Sequence, residues 1–182
     1  MTPAEVANVL FELLEAGTAT TSNLLGNGVR RFLEHRGSAW EALCAEPALI
    51  PNAVEEVLRF DASVMMWRRR TKQAVRIRDV DVPSDANVLL LVGSANRDED
   101  VFADSETFDI RRPNAHEHLA FGLGNHLCLG APLARLEARV VFEELTVRRP
   151  DLMLEPGQSL TFHPNISFRG PSALQVRCPG AG

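Results

Sequence analysis

The chain has 182 residues, of which 45% are hydrophobic and 24% charged, and its formal net charge at pH 7 is -5. This composition is typical of a folded domain rather than a disordered or collagen-like chain, and its acidic balance argues against a nucleic-acid partner. No apolar run approaches the ~20 residues of a membrane span, and residues 1–5 lack the pattern of a signal peptide. The three widely spaced cysteines favour a reducing compartment. We therefore expect a cytoplasmic protein without a membrane partner.

The first predicted element is a helix that begins at once. Thr2 suits the N-cap, Pro3 suits the first helical position, and Glu5 completes a capping box. Residues 6–16 are then apolar on nearly every face, and the helical pattern resumes over residues 24–33. A helix that is apolar all round is typical of a protein interior. Little sequence precedes this helix, so we expect the chain to provide few residues that could pack against its apolar faces.

Shorter elements are predicted next. One short helix runs through Trp40 to Cys44, and another opens at Pro51. From Val75 onward apolar residues alternate with charged ones, and the apolar run at residues 88–92 predicts a buried strand.

The second half of the chain combines an irregular stretch with a strong helix. Residues 96–128 are rich in Gly, Pro, Asn and Asp with little periodicity, and an irregular stretch of this length is usually functional or disordered. A helix is predicted from Gly130 to residues 148–150. Residues 160–162 and 174–176 predict a closing pair of strands.

The most informative segment is FGLGNHLCLG at residues 121–130, which places Cys128 where a Gly-rich loop meets a helix N-terminus. Free backbone N–H groups and the helix dipole favour a thiolate there, and glycines allow a flat ligand to approach closely. The simpler interpretation is a buried structural cysteine beside a helix cap. Zinc and phosphate are disfavoured, because neither a Cys-x-x-Cys pair nor a phosphate-binding Gly pattern is present.

This segment resembles the haem-ligand loop of the cytochrome P-450 family, whose pattern Phe-Gly-x-Gly-x-His-x-Cys-x-Gly it matches at every fixed position. The resemblance implies that Cys128 supplies an axial thiolate to the iron of haem b, and that Phe121, Gly122 and Gly130 belong to the haem-binding loop. Such a thiolate favours O–O cleavage, and N–H donors around the sulfur tune the iron.

The resemblance also implies two residues that hold the haem propionates. Counting back from the Val-Pro pair at residues 82–83 gives Arg69 as one, with its neighbours Arg68 and Arg70 as the alternatives, and His126 as the other. An arginine is the expected residue type because its contact with a carboxylate is charge-assisted. Taken alone, the three arginines would be a charged surface turn.

Glu56 and Arg59 form the only Glu-x-x-Arg in the chain. On its own, such a helical pair is usually a solvated ion pair worth a few tenths of a kcal/mol. The resemblance implies instead a structural pair beneath the haem, completed by an arginine directly before the Phe108-Asp109 dipeptide. Thr107 stands there, so we expect an incomplete triad.

Residues 16–21, with the sequence AGTATT, lie in the first predicted helix. As a packing feature they would be a small-residue patch where helices approach each other. The resemblance implies an oxygen-binding groove in a distorted stretch of helix, with Ala16 and Gly17 next to the haem and Thr20 as the catalytic threonine that helps to deliver protons. Ala19 replaces the acidic residue usual in the family, so we expect inefficient proton delivery.

The resemblance runs from about Pro3 to Val176 and corresponds to the C-terminal half of the family's fold. It implies a mainly α fold with small β-sheets: a long oxygen-groove helix, the Glu-x-x-Arg helix, the haem-thiolate loop, a following helix and a C-terminal β-hairpin. We therefore expect residues 1–182 to be the haem-binding half of one domain, with the N-terminal half absent.

The implied function is that of a bacterial, soluble haem-thiolate monooxygenase, an oxidoreductase that inserts one atom of O₂ into an apolar small molecule. Its electrons would come from a ferredoxin-type partner, and a missing N-terminal half would be a further partner. Two alternatives stay open, a haem-binding or haem-free remnant without turnover and a structural module that pairs with an N-terminal half. An absorption spectrum of the reduced, carbon monoxide-bound protein separates them.

Overall fold

A computed structural model describes residues 1–179 of the chain. The helices within them are α1 (Pro3–Glu34), α2 (Trp40–Ala45), α3 (Ile50–Phe60), α4 (Val92–Ala95) and α5 (Ala131–Arg148). The strands form antiparallel pairs, β1 (Trp67–Arg70) with β4 (Asn87–Leu90), β2 (Val75–Ile77) with β3 (Val80–Val82), and β5 (Met153–Leu154) with β6 (Val176–Arg177). The architecture is mainly helical with small sheets, as the family resemblance implies.

The N-terminus of α1 has the predicted capping box. The backbone N–H of Glu5 donates to Thr2 Oγ1 at 3.3 Å, and the backbone N–H of Thr2 donates to Glu5 Oε2 at 2.7 Å. Two of the four N–H groups that a helix start leaves free are thereby satisfied. The two apolar stretches of the sequence then belong to one unbroken helix.

The hydrophobic core lies between the C-terminal half of α1 and helices α2, α3 and α5. Phe32 of α1 meets Phe142 of α5 edge to face, with the ring centroids 4.9 Å apart. Gly28 permits this contact, because a Cβ at that position would lie 2.4 Å from Phe142 Cζ. Trp40 is fully buried, and its Nε1–H donates to the carbonyl of Pro150 at 3.0 Å. This core fixes the relative positions of the long helices.

The first half of α1 has no such packing. All of residues 1–19 are exposed, and large apolar side chains on the helix are among them, including Phe11 at 66% and Leu14 at 70% exposure. The expectation that this chain leaves the helix uncovered is confirmed. No helix in residues 1–179 combines the length and the hydropathy needed to cross a membrane.

Two strand predictions are wrong. The run at residues 88–92 is not a buried strand: β4 ends at Leu90, its residues are exposed or half-buried, and Val92 opens α4. Apolar content predicts burial only where a second layer exists, and β4 pairs with β1 alone. Residues 160–162 and 174–176 do not pair either. Val176 pairs with Leu154, whereas Phe162 makes an isolated bridge to Pro171, a residue type that has no N–H for a ladder.

The irregular stretch at residues 96–128 is confirmed. It contains turns and two single turns of 3₁₀ helix, Ala115–Glu117 and Gly124–His126. Its position is set by α3 on one side and by the start of α5 on the other, and its last residue is Cys128.

Candidate functional site

The loop before α5 folds back on itself around Cys128. Gly122 and Gly124 have φ values of +75° and +76°, which are left-handed conformations that favour glycine. The backbone N–H of Cys128 donates to the carbonyl of Phe121 at 2.9 Å, so the two ends of the loop are joined. Gly130 is the N-cap residue of α5. The structure therefore brings Phe121, Gly122, His126, Cys128 and Gly130 together in one loop.

Cys128 is exposed, so the simpler interpretation of a buried structural cysteine is wrong. Its apolar neighbours point outward as well, with Leu123, Leu127 and Leu129 at 81%, 59% and 88% exposure. An accessible thiol among apolar side chains and glycines fits the flat apolar ring and single thiolate ligand of a haem. In residues 1–179 no three His, Cys, Asp or Glu side chains are grouped so that they could hold a bare metal ion.

The two residues expected to hold propionates lie on different elements. His126 ends the 3₁₀ turn of the cysteine loop, and its side chain is exposed. Arg69 lies on β1, opposite Val88, so it belongs to a strand and not to a surface turn. Successive side chains of a strand point to opposite faces, so Arg69 is separated from Arg68 and Arg70 by the sheet itself. Both Arg69 and His126 are accessible to an anionic group.

The residues of the expected oxygen groove lie on α1. Ala16 and Gly17 are exposed and Thr20 is half-buried. The expected distortion is not present, because α1 is α-helical throughout residues 16–21. The Thr20 hydroxyl donates to the carbonyl of Ala16 at 2.5 Å, and that of Thr18 donates to Leu14 at 2.7 Å. Each threonine thus bonds to its own helix four residues back, as hydroxyl side chains within helices commonly do.

The expectation of an incomplete triad at Glu56 and Arg59 is wrong. Both residues are fully buried, and the Arg59 guanidinium donates to the two Glu56 carboxylate oxygens at 2.7 and 2.8 Å. Arg112 supplies the third member, with its Nε 3.3 Å from Glu56 Oε2. Thr107 contributes its carbonyl, which accepts from both arginines at 3.1 and 3.0 Å. The partner stands four residues after Phe108 rather than directly before it.

A second ion cluster was not predicted from the sequence. Glu55 accepts from Arg135 Nε and Nη2 at 2.7 and 2.9 Å, and its Oε2 lies 3.1 Å from His118 Nε2. Burial alone would raise the pKa of Glu55, but hydrogen bonds from His118 and Arg135 and the charge of Arg135 outweigh it and lower that pKa to about 2. Glu55 adjoins Glu56 in the sequence, and the Glu-x-x-Arg pattern that singles out Glu56 gives no signal for the partners of Glu55.

Comparison with known proteins places these features in one family. Residues 29–160 match the family model described as Cytochrome P450. The chain is 41% identical over 180 residues to the cytochrome P450 monooxygenase PikC of Streptomyces venezuelae, with 97% of this chain and 42% of that protein covered. It is 43% identical over 173 residues to cytochrome P450 119 of Sulfolobus acidocaldarius, with 95% and 45% covered.

Solved structures agree. An intact type IV self-sufficient cytochrome P450 monooxygenase superposes with a TM-score of 0.93 at 46% identity, covering 97% of this chain and 23% of that one. Cytochrome P450 CREJ, in complex with (4-ethylphenyl) dihydrogen phosphate, gives a TM-score of 0.93 at 44% identity and covers 98% and 44%. The chain spans less than half the length of these curated relatives and structures. The matched region contains the cysteine loop and the buried triad, and the chain therefore belongs to the cytochrome P450 family, whose cofactor is haem iron.

Proposed function

We propose that this chain forms the haem-thiolate part of a cytochrome P450 monooxygenase, which inserts one atom of O₂ into an apolar small molecule with electrons from a ferredoxin-type partner. The observation that carries the proposal is the exposed Cys128 in a closed, glycine-containing loop directly before α5. Haem bound through a thiolate supplies the oxygen chemistry, because the ligand pushes electron density onto iron and favours O–O cleavage.

The role proposed for the loop is to present the sulfur and to support the ring. Cys128 gives the axial ligand, and Phe121, Gly122 and Gly130 shape the backbone around it. The N-terminal end of α5 carries a partial positive charge that stabilises a thiolate nearby. Exposed leucines beside the cysteine supply apolar contact to a flat ligand.

Arg69 and His126 are proposed to hold the two propionates. A guanidinium or a protonated imidazole makes charge-assisted hydrogen bonds to a carboxylate, and such bonds are stronger than neutral ones. Arg70 is less suited, because it forms an ion pair with Asp85 at 2.5 Å on the other face of the sheet. Arg68 shares that face.

Thr20, with Ala16 and Gly17 one turn earlier, is proposed to lie over the haem. The Thr20 hydroxyl donates its hydrogen to Ala16, which leaves the oxygen free to accept a hydrogen bond from water or a ligand. Ala19 has no ionisable group, so the chain offers no carboxylate directly before this threonine. Proton delivery is therefore expected to be slow compared with a relative that has one.

A candidate surface for an apolar substrate is a cavity of about 360 Å³ between α4 and the C-terminal segment, whose lining includes no residue of the cysteine loop or of the proposed oxygen groove. Its lining is largely apolar and includes Met65, Met66, Leu91, Phe162, Ile166 and Phe168. Small-molecule sites are typically lined in this way, with a few polar groups for orientation.

The proposal is tested by reconstituting the chain with haem and recording the spectrum of the reduced, carbon monoxide-bound form. Cys128→Ala should abolish the thiolate-type spectrum, whereas the matched controls Cys44→Ala and Cys178→Ala should retain it. An unchanged spectrum in the Cys128 variant contradicts the proposal. Complete absence of haem binding by the unaltered chain, as distinct from weak binding, favours a structural module instead.

We further propose that another part of a P450 fold covers the exposed half of α1. The support is the exposure of residues 1–19 together with the greater length of the relatives. Burying ~600 Å² of apolar surface contributes about 15 kcal/mol at ~25 cal/mol per Å², which matches the whole stability of a typical domain. This chain should therefore self-associate or bind haem weakly in size-exclusion chromatography with added haem. A monomer that is fully loaded with haem contradicts this proposal.

A further inference from the structure

The Glu55 cluster, which consists of Glu55, His118 and Arg135, lies directly behind the cysteine loop. Glu55 comes from α3, His118 from the irregular stretch and Arg135 from the second turn of α5. The side chain of His118 is 1% exposed and that of Glu55 is 15% exposed. Three elements are thus joined through one carboxylate that is largely shielded from water.

The hydrogen bonds of His118 determine its tautomer. Its Nδ1 lies 3.1 Å from the backbone N of Ala120, which can only donate. Nδ1 therefore accepts, and the ring proton is on Nε2, where it points at Glu55 Oε2. The carboxylate accepts this hydrogen bond in addition to the bidentate pair from Arg135, so its charge is matched by three donors.

Both partners of Glu55 also contact Phe121. The guanidinium carbon of Arg135 lies 4.6 Å from the centroid of the Phe121 ring, and the His118 ring centroid lies 5.8 Å from it. A guanidinium over an aromatic face is attracted by the ring electrons. Because Glu55 holds Arg135 and His118, it also fixes the two groups that hold this ring.

The backbone of Phe121 is in turn hydrogen-bonded to that of Cys128. The Phe121 carbonyl accepts the backbone N–H of Cys128 at 2.9 Å, which closes the loop at the cysteine itself. A continuous path of contacts therefore leads from Glu55 through Arg135, His118 and Phe121 to Cys128.

We infer that Glu55 is a positioning residue for Cys128, acting through Arg135, His118 and Phe121. Its functional consequence rests on the proposed function, in which Cys128 is the iron ligand, but the link itself is a property of the polypeptide. Groups that orient a metal ligand from behind typically change metal affinity or activity 10- to 100-fold when altered.

Hydrogen exchange at the Cys128 amide tests the link in the full chain without haem. In Glu55→Gln one carboxylate oxygen becomes an NH₂ group, which cannot accept from Arg135 or His118. Protection of the Cys128 amide should fall about tenfold relative to amides in the middle of α5, because local opening of the loop becomes easier. Arg135→Lys should act in the same direction, since lysine loses the bidentate bond and the stacking on Phe121.

Glu143→Gln is the matched control, because Glu143 pairs with Arg139 on the exposed side of α5 at 3.4 Å and should leave Cys128 protection unchanged. The inference is overturned if protection of the Cys128 amide does not fall in Glu55→Gln, or if protection of the α5 amides falls equally. It is also overturned if Glu143→Gln lowers Cys128 protection by the same amount. Haem transfer to an acceptor protein gives a second reading and should quicken about tenfold in Glu55→Gln. A response in exchange from a chain that shows no haem binding at all, as distinct from weak binding, supports the link while contradicting the proposed function.

Discussion

Replacing Arg112 with alanine is the sharpest test of the buried triad of Glu56, Arg59 and Arg112. The guanidinium of Arg112 approaches Glu56 at 3.3 Å and donates to the carbonyls of Ala103, Asp104 and Thr107 at 2.5, 3.0 and 3.0 Å. Arg112→Ala removes all of these contacts at once and leaves the carboxylate of Glu56 with Arg59 as its remaining guanidinium partner.

The expected loss of stability follows from what stays buried. Removing one partner of a buried ion pair costs about 3–5 kcal/mol. Glu56 keeps its bidentate bond to Arg59 and accepts the Asp109 N–H at 2.9 Å. Ala103, Asp104 and Thr107 are exposed, so water can replace part of the hydrogen bonding that their carbonyls lose with Arg112. We therefore expect the lower end, about 3 kcal/mol, against a typical total of 5–15 kcal/mol.

Urea unfolding followed by tryptophan fluorescence measures this loss, since Trp40 is fully buried in the core. Thr107→Ala is the matched control. Its exposed side chain should matter by no more than about 0.5 kcal/mol, because the residue contributes its carbonyl. The reasoning is refuted if Arg112→Ala costs less than about 1 kcal/mol, or if Thr107→Ala costs as much as Arg112→Ala.

Three further outcomes are expected. Arg69→Ala should speed haem transfer to an acceptor protein more than Arg68→Ala or Arg70→Ala, because a charged hydrogen bond is worth about 1.5–3 kcal/mol; a larger effect at either neighbour would mean that the propionate partner is another residue. In a complete P450 built around this chain, Ala19→Asp should raise the product formed per electron consumed, and equal coupling in both proteins would contradict a role for that position. The pKa of Glu55 is about 2 in the folded state against an ordinary 4.5, so its contribution to the free energy of unfolding is complete above pH 4.5 and is lost as the pH falls towards 2. Urea unfolding at several pH values should show that this loss is at most about 3 kcal/mol. The loss should be absent in Glu55→Gln.

The elements that sequence reasoning predicts well are those with local signals. The α1 capping box involves residues three apart, and the start of α5 directly follows the loop that ends at Cys128, so neither needs knowledge of the tertiary structure. The cysteine loop belongs to the same class, because its glycines adopt left-handed φ values for reasons internal to the loop. These features are consequently recognisable from a few consecutive residues.

The features that sequence reasoning misses depend on what lies opposite in space. Burial of residues 88–92 requires a layer over β4, and pairing of Val176 depends on where β5 ends. Arg112 reaches Glu56 across 56 positions of the chain, and Arg135 reaches Glu55 across 80. A pattern of neighbouring residues contains no signal for such distances, and the family resemblance led us to look for the third arginine at position 107, where Thr107 stands.

Both clusters meet at adjacent glutamates of α3, and this explains how an irregular stretch of more than thirty residues keeps one shape. Neighbouring positions on a helix point about 100° apart, so Glu55 and Glu56 face different segments. Glu56 forms ion pairs with Arg59 and Arg112. The remaining N–H groups of these two arginines donate to backbone carbonyls that have no partner in a strand or helix. Glu55 secures the other end of the stretch, against α5. The segments on both sides of α3 that lead to the cysteine loop are therefore held by ion pairs to Glu55 and Glu56, and none of the residues in these pairs belongs to the exposed first half of α1.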